Sequence, residues 1–552
     1  MALTIIPARH QPELPQSRLI LPDLPDPEAI EMDVIIVGGG PAGLAAAIEL
    51  GRLARKDDES GGDLGDLQIA VLEKAAGLGE HNLSGAVINP RAFRELFPDL
   101  SDSDFPFRQP VTKERVMLLT ESRAIPIPTP PTMQNAGFYT ASISEVCRWL
   151  GEKAEGLGVN ILPGFPAESL LVDGDRAIGV RTTAVGLDRS GAPGPRHEPG
   201  TDLTAKAVIL AEGTRGPLTQ AYLKAQGIGS ENPQIFALGV KEVWETRKPL
   251  DSIVHTLGWP LPTHAFGGSF LYPLGANLVA VGLVVGLDHH STTLDVHELL
   301  QRMKLHPLFR EYLEGGEMLE WGAKTIPEGG YYSLPRRRCG DGVLIVGDAA
   351  GYVDVPSLKG IHYAMQTGIF AARALFDALK KGDLSGASLS AYDWMVNESY
   401  VSADLHRTRN MRLAFKDGLF VGGAKAAVMT LTGGNVPGGK IDMAPDAAVP
   451  KEVVSYTPFT PDGRLTFSKV DAVFKSGNQT RDDIPPHLVV GEDVPGDVAE
   501  LYQHMCPAAV YEKNGDRLVV NAPNCIDCKA TDVLGPRWLP REGGSGPAYK
   551  TM

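Results

Sequence analysis

The residues with the most chemistry to offer lie toward the two ends of the chain. Near the C-terminus, Cys506-Pro507 is followed, after 18 intervening residues, by Cys525-Ile526-Asp527-Cys528. A Cys-x-x-Cys turn with a third Cys-Pro can set thiolates around one iron–sulfur cube. Zinc is the competing ion, but it asks for a closed set of four N/S ligands, and the nearest spare ligand, His504, stands only two residues before Cys506. The favoured reading is an iron–sulfur cluster. Near the N-terminus, Gly38-Gly39-Gly40-Pro41-Ala42-Gly43 follows a short apolar run. Gly38 permits a tight turn, Gly40 lets a pyrophosphate approach the backbone, and Gly43 lets a helix pack close to the preceding strand. The implied ligand is a dinucleotide.

These groups need elements to hold them. Val34–Val37 reads as a strand buried on both faces, and the Ala-rich run after Gly43 as a helix that turns bare N–H groups toward phosphate. The next strand, 67–72, is closed by Glu73, placed to accept from a ribose hydroxyl; it lies 30 positions beyond Gly43 instead of about 20, and the polar insert 56–66 accounts for the excess. Two further strand-and-glycine signals follow: 207–216, which carries Gly213, and 342–351, where Gly347-Asp348 offers a carboxylate to a ribityl hydroxyl. Three such signals in this order indicate FAD more than NAD, in a domain interrupted by insertions. Ser84-Gly85-Ala86 is a small-residue turn that suits a flat cofactor. The stretch 234–288 alternates like antiparallel strands, and within it Gly267-Gly268 either exposes backbone N–H groups to a flat ligand or marks a bulge.

Composition narrows the function classes. The chain has 552 residues, 43% of them hydrophobic, enough for two or three domains. A formal net charge of −15 argues against nucleic acid and suits a protein partner with a basic patch. Residues 1–31 read as an extended, Pro-rich arm instead of a targeting signal. No uninterrupted apolar run reaches the roughly 18 residues of a spanning helix, so any membrane contact is peripheral or shallow. The stretch 116–133 resembles a hairpin. The apolar stretch 418–431, which contains Lys425, is either an interfacial helix or a core helix. Five cysteines are too few for a disulfide framework, and Cys147 sits on the apolar face of a helix as a core residue.

Read as a whole, the chain resembles the electron-transfer flavoprotein–ubiquinone oxidoreductase family. The resemblance is carried by VIIVGGGPAGLAAAIEL, LEKAAGLGEHNLSGAVINPRAFRELFPD, HTLGWPLPTHAFGGSFLYPL, LVAVGLVVGLD, VPSLKGIHYAM, CPAAVYE, NCIDCK and EGGSGPAY, in that order. It implies a mixed α/β and α+β chain. A Rossmann-like FAD domain of glutathione-reductase type would hold an inserted antiparallel quinone sheet and be followed by a ferredoxin-like iron–sulfur domain. The expected layout is an arm at 1–31, FAD-domain parts at 32–115, 141–233 and 331–415, a membrane-contact hairpin at 116–140, the quinone sheet at 234–330, a membrane-contact helix at 416–434, and the cluster domain with its connector at 435–552.

The resemblance implies that FAD is held at Gly38, Gly40, Gly43, Glu73, Lys74, Ser84, Gly85, Gly213, Gly347, Asp348, Gly360 and Ile361. It places ubiquinone at Gly267 and Gly268 and the cluster on Cys506, Cys525 and Cys528, with no acid–base catalyst needed. Electron-transfer flavoprotein is the implied donor. The implied location is a monotopic position on a respiratory membrane, bacterial cytoplasmic or mitochondrial inner. Three departures from the family pattern stand out. The fourth cluster cysteine is replaced by Thr531, preceded by Ala530, so the cluster is expected to be [3Fe–4S] or a [4Fe–4S] with one labile iron. Asp354 and Ile361 bring a carboxylate and remove a hydroxyl near the flavin, which disfavours an anionic reduced ring. Two alternatives remain: an FAD-dependent reductase or monooxygenase of an isoprenoid or aromatic substrate with a degenerate cluster site, and a membrane-peripheral scaffold that binds the partner flavoprotein without turnover.

Overall fold

The computed structural model describes residues 4–62, 64–454 and 456–552. Its first sheet runs in the order Asn160–Pro163, Ile69–Glu73, Val34–Val37, Ala207–Leu210, Val343–Ile345 and Cys339–Gly340, parallel except for the last, edge pairing. The three glycine signals therefore leave neighbouring strands at the same, C-terminal end of one sheet, where doubly wound folds bind their ligands. The strands Val34–Val37, Ala207–Leu210 and Val343–Ile345 are buried throughout, as parallel strands covered on both faces must be. Helices Pro41–Glu59 and Ile361–Lys381 pack on one another. Their approach is close enough that a Cβ on Gly368 would lie 2.2 Å from the Ala42 carbonyl oxygen.

A seven-stranded sheet stands over that end. Its order is Glu317–Pro327, Phe236–Glu245, Leu278–Gly286, Gly267–Pro273, Ile253–Gly258, Glu114–Leu119 and Ala124–Ile127. Pairing is antiparallel apart from Ile253–Gly258 with Glu114–Leu119. The hairpin read from 116–133 thus extends this sheet at its edge. The strand at Gly267–Pro273 pairs with Leu278–Gly286 without a shift in register, which removes the bulge reading of the two glycines. The arm contributes short strands: Ile20–Leu21 and Ile30–Glu31 add to the two sides of the sheet built on Ala167–Asp173 and Arg176–Thr182.

The cysteine-bearing segment shares a hydrophobic core with the seven-stranded sheet, where Cys506, Cys525 and Cys528 pack among residues that include Leu238, Val240 and Ala323. Main-chain bonding ties the two together: Thr325 N–H donates to the Cys528 carbonyl at 2.9 Å. Cys147 is fully buried in the other core, on helix Ile143–Glu155, as expected. Among the described residues, no helix is long and apolar enough to cross a membrane.

Candidate functional site

One cavity of about 1000 Å³ runs from the first glycine turn, beneath the seven-stranded sheet, to the apolar helix Leu419–Thr432. Gly38 and Gly40 line its inner end; Gly43 does not, because its role is packing. A Cβ on Gly43 would meet the Gly38 carbonyl oxygen at 2.1 Å, and one on Gly38 the Ala211 oxygen at 2.3 Å. Gly40 differs: its Cβ would have only Asn82 Nδ2 nearby, at 3.3 Å. The protein itself has room for a side chain there. The bare backbone is instead what a pyrophosphate at the N-terminus of helix Pro41–Glu59 requires, so this turn fits a dinucleotide.

Glu73 ends its strand and lines the cavity. Its carboxylate accepts from Gly39 N–H at 3.0 Å and Ala75 N–H at 2.8 Å, which fixes it at the turn. Lys74, Ser84, Gly85 and Gly213 also face the cavity, as do Asp348, Gly360 and Ile361 at the N-terminus of helix Ile361–Lys381. Asp348 is half-buried, facing the cavity, and the desolvation there pushes its carboxyl up to about 6. Gly347 stays behind the lining: it has φ 62°, and a Cβ there would lie 2.9 Å from that of Ala42.

Asp354 departs from expectation. The residues on either side of it line the cavity, but its own side chain does not: Ser357 Oγ donates to it at 2.5 Å, and the Thr408 hydroxyl, whose nearest acceptor is the Asp404 carbonyl at 3.2 Å, lies 3.5 Å from it. Burial raises its pKa. The carboxylate expected beside the ring is therefore held by the Ser357 hydroxyl outside the cavity, and only the Ile361 change touches the lining.

Gly267 and Gly268 border the outer part of the cavity with Phe266, Thr256 and Leu257. A Cβ on Gly268 would fall 2.6 Å from the Thr256 carbonyl oxygen. The strand is braced by Arg412, whose guanidinium lies over the Phe266 ring at 3.9 Å and donates to Glu328 at 2.7 Å and Asp288 at 3.0 Å. Beside Gly268, His255 Nε2 and the Tyr272 hydroxyl are 2.6 Å apart, and burial lowers the imidazole to about 3, so it is neutral. The mouth is apolar. It is lined by Gly423, Ala426, Ala427, Thr430 and Leu431 of helix Leu419–Thr432 and by the segment 127–133. The helix buries only Gly422 and Met429, while Phe420, Val421, Val428 and Leu431 are exposed by 67, 53, 60 and 91%. Of its two readings from sequence, core helix is excluded.

Several lysines were missed by motif reading. Lys241 is buried on strand Phe236–Glu245 and donates to the Ser84 carbonyl at 2.8 Å, and burial lowers its ammonium to about 7. Lys324 and Lys359, also on the cavity, are each lowered to about 8 by burial. The available signal was a single lysine inside an otherwise apolar strand run, as in FALGVKEVW and WGAKTIP.

The three C-terminal thiols meet at a second, small cavity, bordered by Leu488, Val510, Tyr511 and Thr531. Three soft donors converging on one enclosed space fit an iron–sulfur cluster. Burial pushes the Cys525 thiol up to about 12, so it gives up its proton only against metal charge. His504 does not reach this cavity; it lies 3.6 Å from Asp295. Asp527, between the two clustered cysteines, ties this region to the first: Lys74 Nζ is 2.6 Å away, Arg541 and Trp538 Nε1 donate to it at 3.0 Å, and Lys324 Nζ reaches its carbonyl at 3.1 Å. Lys529 lines both cavities.

A family model described as ETF-QO, ubiquinone-binding, matches residues 236–326, and one described as electron transfer flavoprotein–ubiquinone oxidoreductase, 4Fe-4S, matches 463–550. The chain is 38% identical to the mitochondrial electron transfer flavoprotein–ubiquinone oxidoreductase of Oryza sativa subsp. japonica, over 95% of this chain and 94% of the relative. It is 39% identical to that of Homo sapiens, over 95% and 90%. Among solved structures, a geranylgeranyl bacteriochlorophyll reductase-like protein of Thermoplasma acidophilum superposes with TM-score 0.57 at 18% identity, covering 76% of this chain and 95% of that one. A myxobacterial chondrochloren halogenase, a variant of FAD-dependent halogenases, gives TM-score 0.52 at 19% identity, covering 76% and 95%. These last two are likenesses of fold.

Proposed function

We propose that this chain, which belongs to the electron-transfer flavoprotein–ubiquinone oxidoreductase family, passes electrons from reduced electron-transfer flavoprotein through an iron–sulfur cluster and FAD to ubiquinone. The observation that carries this is the continuity of the main cavity, which joins a dinucleotide turn at Gly40 to two bare glycines at Gly267-Gly268 and then to an apolar mouth. A polar cofactor at one end and an apolar acceptor entering at the other can share it.

Flavin and cluster supply the one-electron and two-electron chemistry. The chain's own residues bind, space and shield. Gly38 and Gly40 admit the pyrophosphate, Glu73 and Lys74 take the adenosine side, and Ser84, Gly85, Gly213, Asp348, Gly360 and Ile361 surround the rest, with Gly43 and Gly347 setting the packing behind them. Gly267 and Gly268 offer main-chain groups to the quinone head. Cys506, Cys525 and Cys528 hold the cluster. The Asp527–Lys74 pair fixes that segment against the FAD-binding sheet, and the Asp527–Arg541 pair braces it internally. The exposed face of helix Leu419–Thr432, with the edge hairpin beside it, suits monotopic seating on a respiratory membrane, where ubiquinone enters from lipid. The reading keeps the FAD domain, inserted quinone sheet and ferredoxin-like cluster domain on the segments expected from the sequence, and the matches at 236–326 and 463–550, which fall within the last two, support it.

Anaerobic mixing with reduced electron-transfer flavoprotein and a short-chain ubiquinone tests this. Flavin bleaching by the partner followed by reoxidation on quinone addition is the expected result. Consumption of NADPH or oxygen in place of quinone would refute it.

A further inference from the structure

The region matched as a four-iron domain contains three cysteines, and all three line the small cavity. The remaining two of the chain's five are elsewhere: Cys147 is buried on helix Ile143–Glu155, and Cys339 lies beside Asp393 at 3.5 Å. A cube with four irons needs a fourth donor, and the side chain with oxygen nearest in sequence on that cavity wall is Thr531. Its hydroxyl is already committed. Thr531 Oγ1 donates to the Pro536 carbonyl at 3.0 Å, and since a carbonyl can only accept, the Tyr511 hydroxyl, 2.7 Å away, must be the donor to Thr531 Oγ1. Ligation as an alkoxide would require Thr531 to surrender the proton it gives to Pro536, from an alcohol far less acidic than a thiol. Both partners are set by the fold: Tyr511 is buried on the hairpin strand Tyr511–Asn514, and Pro536 follows the short helix Ala530–Leu534.

We infer that this chain binds a four-iron cluster through three thiolates only, and that the iron facing Thr531 has no protein ligand and is exchangeable. The inference rests on the assignment of a cluster to these cysteines. The open corner takes solvent oxygen or a small thiolate from solution. One-electron oxidation then releases that iron: [4Fe–4S]2+ yields [3Fe–4S]+, Fe2+ and one electron, which goes to added ferricyanide.

Two other side chains come near Cys525: Asp527 and His487. The Asp527 carboxylate is taken up by Lys74, Arg541 and Trp538 Nε1 and is not part of the thiol cavity's lining. His487 is the freer of the two. Neither of its ring nitrogens has a hydrogen-bond partner, and one lies within 4.8 Å of a Cys525 and Asp527 ligand atom. It sits outside the lining of the thiol cavity, however, with Leu488 in place on the inner side.

The test uses the anaerobically purified full chain. Iron and acid-labile sulfide are measured first, then electron paramagnetic resonance before and after one equivalent of ferricyanide, then reconstitution with ferrous iron of the Mössbauer isotope and dithionite, which returns the electron that [3Fe–4S]+ and Fe2+ need to regenerate [4Fe–4S]2+. The expected result is a three-iron signal near the free-electron g value, present as isolated or produced by ferricyanide, and abolished when one labelled iron per cluster re-enters. Thr531→Val should leave this behaviour unchanged, because Thr531 is not a ligand, and Thr531→Cys should make the cluster resist oxidation. A four-iron cluster in the unmodified chain that neither converts nor takes up label overturns the inference while leaving the cluster assignment standing, and lability appearing only in His487→Ala would name the true ligand. Absence of iron and sulfide overturns both.

Discussion

Replacing Phe420 and Val428 with aspartate separates the proposed membrane role of helix Leu419–Thr432 from its folding. Fully burying a large apolar side chain is worth about 1.5–3 kcal/mol. Scaled by exposures of 67, 53, 60 and 91%, Phe420, Val421, Val428 and Leu431 together offer about 5 kcal/mol to a lipid interior, a little under half of it from the two sites changed. Each new carboxylate adds a Coulomb penalty of about 1 kcal/mol against an anionic headgroup layer. The sum, about 4 kcal/mol, is on the order of a thousandfold in membrane partition. Folding should hardly respond. Both side chains point outward, and Phe420 is in the first turn, where a carboxylate suits the helix dipole, so unfolding free energy should move by less than about 1 kcal/mol. Flotation with anionic vesicles, read by flavin absorbance, measures partition, and thermal unfolding checks the fold. Unchanged flotation of the double variant would show that this face does not meet lipid. Loss of flavin together with flotation would show that the helix supports the cavity instead.

Gly40→Val should fold but purify without flavin, because its Cβ meets only Asn82 Nδ2 within the protein, whereas Gly43→Val should fail to fold because its Cβ would overlap the Gly38 carbonyl oxygen; absorbance and circular dichroism distinguish the two. Gly268→Ala brings a Cβ to 2.6 Å from the Thr256 carbonyl oxygen, so the two strands must part; it should cost stability and raise the KM for ubiquinone more than tenfold with the flavin spectrum kept, and an unaltered KM would remove Gly268 from the quinone path. Lys241 loses its proton near pH 7 in the folded apoprotein and near 10.5 when unfolded, so between those values the unfolded chain binds more protons and stability rises with pH. The penalty, about 5 kcal/mol as an upper figure, is fully present below pH 7 and gone above about 10.5. Lys241→Met apoprotein should therefore out-melt the parent at pH 7, by a margin that shrinks toward pH 10; a constant margin would place the effect elsewhere.

What the sequence disclosed, and what it hid, divides along a physical line. Motifs whose function depends on main-chain geometry were legible. Gly38, Gly40 and Gly43 sit at successive points of one strand–turn–helix; the fold itself leaves no room for a side chain at Gly38 and Gly43, and at Gly40 the demand comes from the ligand. Contacts between segments distant in the chain were not legible, because spacing carries no information about them. The Lys74–Asp527 pair joins residues 453 positions apart, and Arg412 finds Asp288 and Glu328 across insertions. The direction of a side chain was equally hidden. The sequence places Asp354 beside the flavin because its neighbours are there, but in an irregular turn consecutive residues need not share a face, and the Asp354 carboxylate accepts from the Ser357 hydroxyl outside the cavity lining.

Helix Leu419–Thr432 shows the same limit from the other side. Its composition, apolar with one lysine, is compatible with a core or an interface, because both solvents reward the same residues. Position alone decides between them. Lys425 resolves its charge locally, on Asp417, and thereby leaves the rest of the outer face without any polar obligation. An apolar face that the protein neither covers nor interrupts, directly beside the mouth of a cavity lined by its own inner residues, is costly in water and favourable only against another apolar phase. The same helix therefore does two things at once: its inner side closes the cavity, and its outer side sets where that cavity opens.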